Sequence, residues 1–126
     1  MQLVEQTEHA DGCGVACFAM VTGTTYREAL KVLHPYADDS ALTSNELLME
    51  KLREAGFHID VRYQVPIKQL KTSILVLRYR IGGSNFMHVA VWDAEAQEIL
   101  DPWEQRPFEE YENGLCIAFE LTQANK

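Results

Sequence analysis

The sequence predicts an α+β fold in which N-terminal helices pack against a C-terminal antiparallel sheet. Three observations point there. Residues 13–54 hold apolar segments bounded by helix-start and helix-stop residues. After Gly56 the period shortens to strict alternation and β-branched runs. Those runs are joined by short turn sequences, so successive strands form hairpins and the helices cover the sheet. A chain of 126 residues, 47% apolar and 24% charged, fits one domain over residues 1–126 whose core needs neither disulfides nor a structural metal.

Residues 13 to 22, Cys-Gly-Val-Ala-Cys-Phe-Ala-Met-Val-Thr, are apolar on nearly all sides, which predicts a buried helix. Gly23 ends it, and Thr24 or Thr25 caps a second helix from Tyr26 to about His34, stopped by Pro35. Tyr36 to Leu42 reads as a polar loop. Thr43-Ser44-Asn45-Glu46 reads as a capping box with Thr43 as cap, opening a third helix that turns Leu47, Leu48 and Leu52 inward and closes at Gly56. Phe57, Ile59, Val61 and Tyr63 alternate as a half-buried strand, and Pro66 opens a short helical turn through Leu70. Further strands are expected at Ser73–Arg80, Phe86–Trp92, Glu98–Asp101 and Leu115–Leu121, with Gly82-Gly83-Ser84-Asn85 as a hairpin turn.

The formal net charge is −8 and basic residues are scattered, Arg78 and Arg80 being the densest pair. Nucleic-acid binding needs a basic stripe to displace counterions, and an anionic membrane surface needs a polybasic segment, so neither partner is expected. The N-terminus lacks the basic and apolar regions of a secretory signal, and no apolar run is long enough to span a bilayer. Three cysteines, two of them one helical turn apart, make a poor disulfide framework and suit a reducing compartment. The expected location is the cytoplasm, and delivery into another cell without a cleaved signal is compatible with it.

Chemistry concentrates at Asp11-Gly12-Cys13-Gly14. A cysteine at a helix N-terminus meets free backbone N–H groups and the positive end of the helix dipole, which favour thiolate over thiol. Flanking glycines let backbone and substrate approach closely. Cys17, one turn on, reads as core, and Cys116 as core or sheet surface. A thiolate nucleophile needs a base and a group that orients it. His9 falls in a flexible N-terminal arm, His34 at a helix end and His58 just past a helix, whereas His88 lies mid-strand in Phe86-Met87-His88-Val89-Ala90-Val91-Trp92. A histidine in so apolar a strand has a partner or faces a cleft. Asp101-Pro102 ends the following strand, and a carboxylate there is placed to accept the Nδ1 proton across adjacent strands. Taken singly, His88 also fits a satisfied core histidine and Asp101 a plain turn.

Gln6, then Cys13-Gly14-Val15-Ala16, then His88, then Asp101-Pro102 resemble the C39-type, bacteriocin-processing-like peptidases of the papain-like superfamily over about residues 6–103. The resemblance implies a papain-like fold and a Cys-His-Asp triad. On it Cys13 is the nucleophile, His88 the general base and acid, Asp101 the orienting residue and Gln6 the side-chain donor of the oxyanion hole beside the Cys13 N–H. The family usually carries its acidic residue directly before the cysteine. Here Gly12 stands between Asp11 and Cys13 as a single insertion. Family members often cut peptide leaders after a double glycine as domains fused to an exporter. With no membrane segment in this sequence, a stand-alone cysteine peptidase acting on a peptide or protein is expected, with no cofactor and no metal.

Other functions are compatible with the residues. A glutamine deamidase or transglutaminase uses the same triad, and a binding module can keep such a fold without turnover. A metal site from Cys13, Cys17 and a histidine lacks the second ligand pair that structural zinc requires. Trp92, Trp103, Phe108 and Tyr111 either line a cleft or cover the sheet, and Glu104, Glu109, Glu110 and Glu112 make the C-terminal part acidic.

Overall fold

The computed structural model describes residues 1–6, 8–35 and 41–123. Most of the loop expected at 36–42 therefore lies outside the described residues. Helices α1 (Cys13–Thr22), α2 (Tyr26–Leu33) and α3 (Asn45–Glu54) precede strand β1 (Phe57–Arg62). A 3-10 turn (Ile67–Gln69) leads to β2 (Ser73–Ile81), β3 (Ser84–Asp93) and β4 (Glu98–Leu100). Helix α4 (Phe108–Gly114) then leads into β5 (Leu115–Gln123). The α+β class read from the sequence is the class observed.

The all-round apolar α1 is buried from Gly14 to Met20 and ends at Gly23 in the left-handed region, φ 73°. Thr25, not Thr24, caps α2. Its hydroxyl accepts the Glu28 N–H while the Glu28 carboxylate accepts the Thr25 N–H, closing a full capping box. The expected box at Thr43 forms differently. Ser44 is the cap of α3 and accepts the Leu47 N–H, because the Thr43 hydroxyl is already engaged, donating to the Ala41 carbonyl and lying 2.7 Å from His34 Nε2.

The five strands form one antiparallel sheet in the order β1-β5-β2-β3-β4. The expectation of hairpins throughout holds only for β2-β3-β4. The last strand inserts between β1 and β2, so β1 never meets its successor. Gly82 and Gly83, at φ 58° and 84°, make the two-residue turn that locks β2 to β3, a geometry open to glycine at little steric cost. Side-chain alternation then sends β2 and β3 residues to two separate cores. Ile74, Val76, Val89 and Val91 pack under α1–α3. Leu75, Leu77, Ala90 and Trp92 pack on the other face with Ile67, Ile99 and Tyr111 of the unforeseen helix α4. Trp92 is fully buried and donates its indole N–H to the Leu70 carbonyl at 3.1 Å. Helix α1 packs on β3, bringing the start of the first helix to the strand that carries His88.

Candidate active site

Cys13 is the first residue of α1, and Gly12 is its N-cap, with no side chain available to close the helix end. The absence of a side chain at 12 is enforced by packing. A Cβ there would run into the Tyr26 hydroxyl and lie 3.2 Å from the His9 carbonyl. Gly12 is thus the residue over which Tyr26 closes. Likewise a Cβ on Gly14 would meet Thr43 Cβ at 2.9 Å. His9, expected in a flexible arm, is instead tied down. Its ring stacks on Tyr26 with centroids 5.9 Å apart, and Nδ1 lies 2.9 Å from the Tyr26 hydroxyl. Asp11 accepts the Ala41 N–H at 3.1 Å, and Glu8 pairs with Arg27 at 2.7 Å. The segment leading to Cys13 is held by α2 on one side and the start of the α3 approach on the other.

From the sheet, His88 Nε2 donates to Asp101 Oδ1 at 2.7 Å, with both side chains buried. The sequence reading placed Nδ1 on the aspartate. The ring is turned the other way, with Nε2 on the aspartate, which leaves Nδ1 free of that bond, and Cys13 lies near enough to act on the ring electrostatically. Burial by itself would lower the imidazole pKa. The Asp101 hydrogen bond and charge, helped by the neighbouring Cys13, outweigh it and raise the value to about 9. Burial pushes Asp101 upward, but the His88 hydrogen bond and charge, with the Trp103 N–H and the Tyr111 hydroxyl, win and hold its carboxyl below the ordinary value.

Tyr111 is a functional neighbour that sequence reasoning left undecided. Fully buried, it donates its hydroxyl to Asp101 Oδ2 at 2.9 Å and accepts the Arg106 N–H at 2.9 Å. The Trp103 and Glu104 N–H groups donate to Oδ1 at 2.9 and 3.3 Å. The carboxylate is thereby fixed at both oxygens. No local motif signals this, because the partner sits ten residues on, in a helix of one buried residue.

Gln6 is buried and reaches the same cleft. Its N–H donates to the Pro102 carbonyl at 2.9 Å, stitching the N-terminal arm to the segment after Asp101. Its Nε2 donates one hydrogen to the Ala10 carbonyl at 2.7 Å, and its Oε1 is buried without a partner. The second Nε2 hydrogen remains for another acceptor. The cleft, about 370 Å³, is lined by Gln6, Cys13 and His88 together with Asp11, Trp103 and neighbouring apolar side chains. All four residues singled out in the sequence are therefore brought together, Asp101 lying directly behind His88.

Cys17 is fully buried, and burial, then the Cys13 and Asp101 charges, raise its pKa well above the ordinary value, as suits a core residue. Cys116 is half-buried with Sγ 3.7 Å from the Gly114 carbonyl. His34 and His58 lie elsewhere, His58 3.8 Å from Asp60. Among the described residues no three His, Cys, Asp or Glu side chains group as metal ligands, and no helix is long and apolar enough to cross a membrane.

Among solved structures, the chain superimposes on the peptidase domain of Streptococcus ComA, a bifunctional ABC transporter involved in a quorum-sensing pathway, with a TM-score of 0.67. The alignment covers 97% of this chain and 98% of that one. The chain shares the fold of a peptidase domain. Sequence identity is 18%, so the likeness concerns the fold. No protein-family model and no curated protein matches the sequence.

Proposed function

We propose that this protein is a cysteine peptidase that hydrolyses an amide bond of a peptide or protein through a thioester. The observation that carries the reading is that His88, hydrogen-bonded to buried Asp101, lines one cleft together with Cys13. The shared fold with a peptidase domain supports it, as do three unpaired cysteines, which suit a reducing compartment.

In this reading His88 Nδ1 takes the Cys13 proton, and the sulfur attacks the scissile carbonyl. The oxyanion is met by the Cys13 backbone N–H and the second Nε2 hydrogen of Gln6. The C–N bond breaks as His88 returns its proton to the leaving amine. Water, deprotonated by His88, then cleaves the thioester and regenerates the thiol. Asp101 stays ionised throughout and steadies the imidazolium.

The test is turnover of a mixed peptide library by the wild type and by Cys13→Ala, read as new amino termini. Appearance of new termini with the wild type and none with the folded variant is expected. Equal turnover by the variant sinks the reading. Release of ammonia from glutamine without new termini would assign deamidation to the same residues.

A further inference from the structure

Exposed apolar surface on this molecule is not spread evenly. Among the described residues nine large hydrophobic side chains are exposed, and four of them, Leu42, Phe86, Met87 and Trp103, wall the cleft at Cys13. Leu42 is 71% exposed, Met87 56%, Trp103 55% and Phe86 44%. They come from both halves of the chain, Leu42 from the approach to α3 and the others from β3 and the turn after Asp101. The polar side chains lining the cleft are few: Gln6, Asp11, Cys13, Tyr79 and His88, beside the Trp103 indole. Such an arrangement gives a few oriented polar groups for the reacting amide and an apolar wall for a side chain.

The strand beside this wall is also open. Strand β4 pairs only with Val91–Asp93, so Ser84–Ala90 of β3 has a ladder to β2 on one side and, among the described residues, no backbone partner on the other. An unpaired edge accepts an extended peptide by main-chain hydrogen bonding. Phe86, Met87 and His88 lie on that edge, so a peptide added there runs past Cys13 with its side chains against the apolar wall.

We propose that the cleft selects extended peptides carrying a large apolar side chain, aromatic or long aliphatic, on the residue whose carbonyl Cys13 attacks. The selection rests on the cysteine-peptidase reading above and goes beyond it by naming the substrate class. A glycine at that position leaves the wall of Leu42, Met87 and Trp103 in water and forfeits its contribution.

The experiment uses the full chain and N-acetyl-glycyl-X chloromethyl ketones with X as Phe, Leu, Gly or Asp. In each, the Cys13 sulfur displaces chloride, the C–S bond forming as the C–Cl bond breaks. Second-order rates at Cys13 are read by peptide mapping, with iodoacetamide as a probe that carries no side chain. The Phe and Leu probes are expected to react at least about 10-fold faster than the Gly probe, the size of effect that burial of one large apolar side chain supplies. The Phe-to-Gly ratio is expected to fall several-fold in Met87→Ala and in Trp103→Ala, a quotient that cancels any change in thiol reactivity. Equal rates for Phe and Gly, or a faster Gly probe, overturn the substrate class while rapid iodoacetamide labelling of Cys13 leaves the peptidase reading standing. Iodoacetamide labelling with no preference for Cys13 over Cys116, and no probe reacting, overturns both.

Discussion

The two limbs of the site are built by different means. The sheet limb is over-determined. His88 sits in a continuous register with β2, paired opposite Leu77, and Asp101 accepts hydrogen bonds from His88, Trp103, Glu104 and Tyr111. The helical limb hangs on a short arm. Cys13 follows an N-cap with no capping side chain, and the Gln6 side chain has one hydrogen bond and one buried oxygen without a partner. On the peptidase reading, the sheet limb sets charge and titration, and the helical limb sets alignment. Damage to the first is expected to change which protonation state exists, damage to the second to change how well the sulfur is aimed.

The largest effect is expected at Asp101. Asp101→Asn should lower turnover by about 10³–10⁴-fold, because the imidazolium loses its counter-charge and the ring its orientation. The His88 pKa should fall from about 9, since the Asp101 hydrogen bond and charge no longer oppose burial. An NMR titration of the ring in both proteins checks this, and an unmoved pKa would mean that Asp101 does not govern His88. Next comes Trp92→Ala, beneath the same limb, expected to cost about 3–5 kcal/mol in urea unfolding through a cavity in the second core.

Gly12→Ala probes the other limb. Its methyl must displace the Tyr26 hydroxyl and loosen His9, with an expected cost of about 1–3 kcal/mol in stability. If alignment is what this limb supplies, turnover should fall while the His88 titration stays near about 9. Tyr111→Phe should cost about 1–2 kcal/mol, leaving the Arg106 N–H and one Asp101 oxygen short of a partner. The Asp101 carboxyl should then titrate higher, since the Tyr111 hydroxyl is one of the groups holding it down.

A separate signal is the pH dependence of stability. The folded pKa of His88 is raised, so its contribution is fully present below the unfolded value of about 6.5 and is lost as pH rises through about 9. Urea midpoints of the wild type should decline over that window more steeply than those of His88→Gln. Parallel declines would show that another group is responsible.

Legibility in the sequence follows the same division. The hairpin from Ser73 to Asp93 could be read because alternation and Gly82-Gly83 are local signals. So could the pairing of His88 with Asp101, which follows from two adjacent strands, the second ended by Pro102. The ring orientation could not, because either nitrogen reaches a neighbouring strand and only packing chooses. Insertion of β5 between β1 and β2 is a long-range pairing that no local pattern encodes. Helix α4, Phe-Glu-Glu-Tyr-Glu-Asn-Gly, has a single buried residue and hence no apolar period to read. Thr43 and Ser44 are both competent caps, and the choice fell to a contact with His34 that sequence spacing does not show.

The burial of Cys17 bears on how the protein meets oxidants. A surface nucleophile oxidised to a sulfenic acid is commonly rescued by a second thiol that condenses with it. Here the thiol one turn behind Cys13 is sealed in the core with its pKa raised, so little thiolate is available to resolve the damage from within. If Cys13 is the nucleophile proposed above, peroxide should therefore carry it on to the sulfinic acid unless another thiol intercepts it, which makes recovery depend on the reducing power of the surroundings.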